Sequence, residues 1–273
     1  MHPKLLAFLK ALGFIALYFV FGIFFSYFKH LFPPQFERYA QGILGTIGVL
    51  MTVFIFLRVE KKTLKDYGLN WESTSLKKFS LGLGLGIVLA LVMMLSQVFY
   101  SGLEVSLNES AQLPSFLFWV CAFIPLAYME EVAFRSYPMI QLNRAFGLRI
   151  TQVILAILFA VYHMMMGWDT QIALLGPGIW AWAYALTAIS SGGIALPTGL
   201  HFGLNAVQAF LGGKKGMEPI WNLDYPADVS EAAMLANENY GIGIQIVLLI
   251  VSVAATEWYI RRKKTTEGNV YYG

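Results

Sequence analysis

The sequence predicts an all-α, polytopic integral membrane bundle of about eight transmembrane helices. Apolar runs of spanning length recur along all 273 residues, and 58% of the chain is hydrophobic. Charged residues make up only 13%, about half the share of a soluble domain. The basic residues gather in alternate loops, as the positive-inside rule requires of a multispan protein.

A spanning helix needs about 20 mostly apolar residues. That ruler places spans near 5–28, 40–57, 79–100, 115–135, 150–166, 172–190, 194–211 and 242–260. The first run is longer than a signal-peptide core and lacks a small-residue cleavage site, so it reads as a retained span. The loop after the second span carries Lys61, Lys62, Lys65, Lys77 and Lys78. Arg144 and Arg149 follow the fourth span, and Arg261, Arg262, Lys263 and Lys264 follow the eighth. The loop after the third has Glu104 and Glu109 without a base, and the one after the seventh has five acids from Glu218 to Glu238 against Lys214 and Lys215. Eight spans with both termini in the cytoplasm put every strongly basic loop inside, and the cell membrane is the expected location.

One membrane-embedded domain over 1–273 is expected, with a motif-bearing core at about 115–211 and a charged cytoplasmic tail at 261–273. Residues 136–149 suggest a short interfacial helix, apolar on one side. Ser191-Gly192-Gly193 reads as a tight turn between the sixth and seventh spans. Glycines four apart, at Gly82 and Gly86 and at Gly199 and Gly203, favour close helix packing. Cys121 is the single cysteine; with no local ligand or redox partner it reads as a small buried hydrophobe.

The informative residues are the polar ones inside spans. Glu130, Glu131 and Arg135 lie in the fourth, and near mid-helix each costs about 2.5–3.5 kcal/mol to insert. Such residues face a bundle interior or a wet cavity and mark function. Glu131 and Arg135 are four apart and can pair, with Arg135 expected to snorkel toward the cytoplasmic face. Glu130 is rotated about 100° away and has no base on its own helix. The fifth span carries Phe159 and His163, and the seventh carries His201 and Asn205 on one face.

These residues resemble the motifs of the CAAX-protease and bacteriocin-processing (CPBP, or ABI) family of intramembrane proteases, which includes type II CAAX prenyl endopeptidases. Glu130, Glu131 and Arg135 match its Glu-Glu-x-x-x-Arg motif, Phe159 and His163 its Phe-x-x-x-His, and His201 and Asn205 its His-x-x-x-Asn or Asp. The three occur in the family's order, one to a span. Family members commonly carry Gly after the motif arginine, where this chain has Ser136-Tyr137-Pro138. The resemblance implies an eight-helix peptidase that cleaves inside the bilayer.

Peptide hydrolysis needs an activated water and donors for the oxyanion. Glu130 suits the general base, and His163 can hold the same water. His201 and the Asn205 amide suit the oxyanion, and the resemblance implies these same roles. Glu131 would support Glu130 or bind substrate, with Arg135 positioning it and Phe159 giving structural support. The family has been described as both glutamate proteases and metalloproteases. The preferred reading has no cofactor; the zinc alternative would use His163, His201 and Glu130, although no H-E-x-x-H is present. Ser190, Ser191 and Thr198 have no base partner, which leaves serine-type catalysis without support.

The expected partners are membrane lipid and a membrane-anchored or lipidated peptide or protein near the cytoplasmic side, with no nucleic acid. Two rival functions use the same polar residues. One is a transporter or channel, although no repeated half with broken helices is visible. The other is a non-enzymatic bacteriocin self-immunity or membrane partner protein.

Overall fold

Helices dominate because nothing else satisfies backbone groups in lipid. The computed structural model describes residues 2–214 and 216–266; Lys215 and positions 267–273 of the expected tail lie outside the described residues. In order, the helices are α1 (Pro3–Ser26), α2 (Glu37–Glu60), α3 (Ser75–Ser101), α4 (Leu113–Val120), α5 (Phe123–Arg135) and α6 (Tyr137–Phe146). They continue with α7 (Leu148–Met165), α8 (Thr170–Ala173), α9 (Ile179–Ser191), α10 (Ala195–Phe210) and α11 (Glu231–Thr266). Among the described residues, seven helical segments are long and apolar enough to cross a membrane. The eighth expected span is α10, whose 16 residues are short for a lone crossing but are mostly buried inside the bundle.

The two ends of the bundle differ. Lys10 of α1 pairs with Glu60 of α2 at 2.7 Å, and Glu60 also accepts hydrogen bonds from Tyr67, Tyr137 and Gln141. Arg149 at the start of α7 is paired with Glu257 of α11. This basic end therefore holds both ends of the described chain. The opposite end carries a two-stranded antiparallel ribbon that the sequence did not suggest. Its strands, β1 (Glu104–Leu107) and β2 (Trp221–Asp224), join the loops after α3 and α10.

Two spans are broken where proline forbids a continuous ladder. Pro125 cannot donate to the carbonyl four residues back, and the fourth span divides into α4 and α5 at Cys121-Ala122. Cys121 is exposed at that break, which corrects the expectation of a buried thiol. Pro177 lies in a π-helical turn, Leu174–Gly178, between α8 and α9. Ser136, with φ −92° and ψ −114°, ends α5 and turns the chain into α6. The expected interfacial helix is α6, and it buries Tyr137, Met139 and Leu142 against the bundle.

The tightest packing joins α3 to α10, which run parallel. A Cβ built on Gly82 would fall 2.0 Å from the Leu196 carbonyl oxygen, and one on Gly86 2.2 Å from that of Leu200. From the other side, a Cβ on Gly199 would meet the Phe79 oxygen at 2.0 Å and one on Gly203 the Leu83 oxygen at 2.5 Å. Backbone meets backbone, which only glycine permits, so the packing read from Gly-x-x-x-Gly spacing is present on both helices.

Gly86→Val and Gly199→Val are each expected to lower the thermal unfolding midpoint in detergent, at a cost of about 3 kcal/mol or more from overpacking. Gly84→Ala, on the same helix with nothing within 4 Å of its Cβ position, is expected to leave it unchanged.

Candidate active site

The glycine seam places the first part of the site. His201 and Asn205 are each two residues from a seam glycine, about 200° around the helix. The face opposite the seam therefore carries both toward α5. There His201 Nδ1 lies 3.0 Å from Glu131 Oε1, and His201 Nε2 lies 3.8 Å from Glu130 Oε2. Both glutamates thus reach the same imidazole from α5, one at each ring nitrogen.

Glu131 has a second partner. Arg135 Nε is 3.5 Å from Glu131 Oε2, and both side chains are 0% exposed. The guanidinium sits in an aromatic cage, 4.3 Å from the ring centre of Phe159, 5.1 Å from Tyr184 and 5.7 Å from Phe134. Arg135 does not snorkel, which corrects that expectation. Cation–π attraction strengthens once the cation is desolvated, and the Glu131 carboxylate compensates its charge. Because Glu131 is engaged with Arg135, it acts as acceptor to His201, so Nδ1–H donates and Nε2 is the nitrogen turned to Glu130.

His163 comes in from the far end of α7. Its Nδ1 lies 2.9 Å from the Phe159 carbonyl oxygen. A carbonyl only accepts, so the proton is on Nδ1 and Nε2 of the neutral ring carries the lone pair. The ring packs edge-on against Phe159 and Trp168, with centroids at 4.6 and 5.1 Å, and it lies within electrostatic reach of Glu130 and His201. Phe159 therefore supports both histidines, its ring centre being 6.4 Å from that of His201. Asn205 stands one turn beyond His201, buried but for 9% of its surface.

The structure thus brings Glu130, Glu131, Arg135 and His201 into direct contact and holds His163 and Asn205 around them. Among the described residues, no three His, Cys, Asp or Glu side chains are grouped so as to hold a metal ion. In both histidines it is Nδ1 that is engaged, by Glu131 and by a backbone carbonyl, which leaves each Nε2 lone pair available. The hydroxyls of Ser190, Ser191 and Thr198 bond to backbone carbonyls nearby.

Sequence reading missed Tyr184, which stacks on His201 with centroids 4.7 Å apart and planes at 18°. Its only signal is an aromatic-rich run, Trp180 to Tyr184, indistinguishable from core. It also missed Arg38 and Lys214. Both approach the Phe123 ring, at 5.0 and 5.8 Å from its centre, and Lys214 lies within electrostatic reach of Glu130 and His163. Burial pushes the Lys214 ammonium down to about 8.

The site is closed toward the basic end, where Arg135, Ser136 and Tyr137 are all at most 1% exposed. The Glu130 side chain keeps 13%, and the loop of Lys214 approaches it from the ribbon end.

Residues 112–207 match the family model described as Type II CAAX prenyl endopeptidase Rce1-like. The matched stretch contains Glu130, Glu131, Arg135, His163, His201 and Asn205, and it supports a CAAX-type intramembrane peptidase. No curated protein and no solved structure matches the chain.

Removing one partner of a buried ion pair leaves an uncompensated charge, at about 3–5 kcal/mol. Glu131→Leu and Arg135→Met are each expected to lower the unfolding midpoint sharply in detergent, and the double variant is expected to recover part of the loss. Equal and additive losses would mean that the two charges are not coupled.

Proposed function

We propose that this chain is an intramembrane endopeptidase that hydrolyses a peptide bond in a membrane-tethered peptide or protein, using a water activated by Glu130 and His163. One observation carries the proposal: the motif residues of three helices converge, with His201 of α10 set between Glu130 and Glu131 of α5. Residues that merely tolerated burial would have no reason to meet there.

The roles follow from donor and acceptor counting. Glu130 and the lone pair of His163 Nε2 are two acceptors for the two protons of one water. As the water oxygen adds to the peptide carbonyl carbon, Glu130 takes a proton. His201 Nε2, 3.8 Å from Glu130, is the nearest second resting place for that proton. Carrying it, His201 donates to the oxyanion together with the Asn205 amide one turn on. Collapse breaks the carbon–nitrogen bond, and the proton goes to the leaving amine. Glu131 acts by holding His201 through Nδ1, a role that stands beside the expected ones of supporting Glu130 or binding substrate. No metal enters these steps.

The chain is read as one membrane-embedded domain of the cell membrane. The basic end gathers Lys61, Lys62, Lys65, Arg144 and Arg149, which supports a cytoplasmic location for both termini. The approach to the site then lies toward the opposite face, which reverses the side expected for the substrate. The partners are membrane lipid and an anchored or lipidated peptide; no residue pattern calls for nucleic acid.

With purified protein and a panel of lipidated peptides read by mass spectrometry, Glu130→Gln, His163→Ala and His201→Ala are each expected to lower cleavage by orders of magnitude while the unfolding midpoint holds. Asn205→Ala is expected to cost about 10²–10³-fold in kcat, as for loss of one oxyanion donor. Intact turnover in Glu130→Gln would end the glutamate mechanism. Activity lost to a chelator and regained with zinc would replace it with a metal mechanism. Proton-coupled flux in liposomes that survives Glu130→Ala would favour a transporter.

A further inference from the structure

A hydrogen bond holds a ring by one atom. The bond from His201 Nδ1 to Glu131 Oε1, at 3.0 Å, decides which way round the imidazole lies and which nitrogen is left to react. It resists tilting about its own axis only weakly, because its strength depends on the donor angle and not on the plane of the ring behind it. The plane is kept by what lies against the faces. On α9, Tyr184 lies nearly parallel to the imidazole, with planes 18° apart and centroids at 4.7 Å. Phe159 crosses both, at 81° to the imidazole and 88° to the phenol. Tyr184 is itself held. It is 1% exposed, Trp180 stacks on it from one turn earlier at 5.9 Å, and the Arg135 guanidinium stands 5.1 Å from its ring centre. The start of α9 is seated on α7, where a Cβ on Gly178 would meet that of Ala160 at 3.5 Å. Toward His201, Phe159 and Arg135 it is the ring of Tyr184 that makes contact.

We propose that Tyr184 is a positioning residue for the hydrolytic step, its ring keeping His201 in the plane that presents Nε2 to Glu130 and then to the oxyanion. The inference rests on the endopeptidase reading above and adds to it a residue that belongs to none of the three motifs. The contact strengthens as the reaction proceeds. In the proposed mechanism His201 takes up a proton, and an imidazolium against an aromatic face gains a cation–π attraction that the neutral ring lacks. Arg135 shares the phenol ring, but its charge is already met by Glu131. An interaction stronger in the transition state than in the bound substrate acts on kcat and leaves KM alone. A side chain that only filled space has no reason to divide its effect in this way.

The test compares Tyr184→Phe, which keeps the ring, with Tyr184→Leu, which keeps apolar bulk without one, on the lipidated peptides that the wild type cleaves. The Leu variant is expected to lose about 10–10²-fold in kcat at unchanged KM, the scale of a misplaced catalytic group. The Phe variant is expected to stay within about twofold of wild type, because the stacked face is kept. Wild-type kcat in the Leu variant overturns the proposal and leaves Tyr184 a packing residue, and so does a loss confined to KM. A Phe variant as slow as the Leu variant overturns it as well, since the hydroxyl would then carry the effect. Where the Leu variant does not fold in detergent, Tyr184→Met takes its place and is judged by the same outcomes. If the wild type cleaves none of the peptides, the endopeptidase reading is what fails. Histidine-selective nitrogen NMR, with His201 assigned by the signal lost in His201→Ala, then reads the positioning by itself. One Nδ1-protonated form in the wild type and the Phe variant, with averaged forms in the ring-less variant, supports it. Identical spectra in all three reject it.

Discussion

Glu131 answers to two groups at once, and the site depends on its doing so. Its carboxylate is the counter-charge of Arg135 and the acceptor of His201 Nδ1. Water would dissolve both obligations in solution, but a 0% exposed side chain has no water to fall back on. The Arg135 charge must be met inside the protein, and the arginine can stay buried because a carboxylate and three aromatic rings surround it. The consequence for chemistry is indirect. With Nδ1 committed, the imidazole has one orientation and one reactive nitrogen, and that nitrogen is aimed at Glu130.

A fixed ring also needs a fixed helix. Hydrophobic burial distinguishes poorly between packed and unpacked helices when the surroundings are lipid, so position within a membrane bundle comes from close contact. The α3–α10 seam supplies it by putting glycine against backbone carbonyls on both helices. Side chains can repack, but two backbones in contact have almost no slack. Because His201 and Asn205 project from the face opposite those glycines, the rigidity of the seam carries directly to the site. The proposed mechanism, which has no covalent nucleophile, would depend on this kind of placement, since its rate would come from holding a water and donors in register.

The fold was legible because the bilayer imposes a simple rule on sequence. Long apolar runs and alternating loop charge gave the spans, and intramembrane charge gave the residues worth watching. The three motifs then supplied an order that no single feature carried. What stayed hidden has physical causes. The β1–β2 ribbon pairs short loop segments more than 100 positions apart, which no local pattern announces. Arg135 was expected to reach for water because an isolated arginine would, and its aromatic cage is assembled from α5, α7 and α9. Tyr184 looks like any core aromatic until His201 is seen stacked on it. Arg38 and Lys214 look like ordinary loop cations until the fold sets them over one ring.

Broken helices raise the rival reading again, because half-helices with freed backbone groups build ion sites in many transporters. Two of the spans here are broken, yet neither break lies among the polar residues of the site. The α4–α5 break is nine positions from Glu130, or about 14 Å along a helix, and it places an exposed Cys121 rather than a polar ligand there. The π turn before α9 buries Gly178 against α7. A conduction path needs openings on both faces, and toward the basic end this site is closed by Arg135, Ser136 and Tyr137. That closure speaks against an open channel, whereas an alternating-access transporter would also be closed on one side at a time. On the other side the Glu130 side chain keeps 13% of its surface, and under the proposed function a peptide would have to reach it from there.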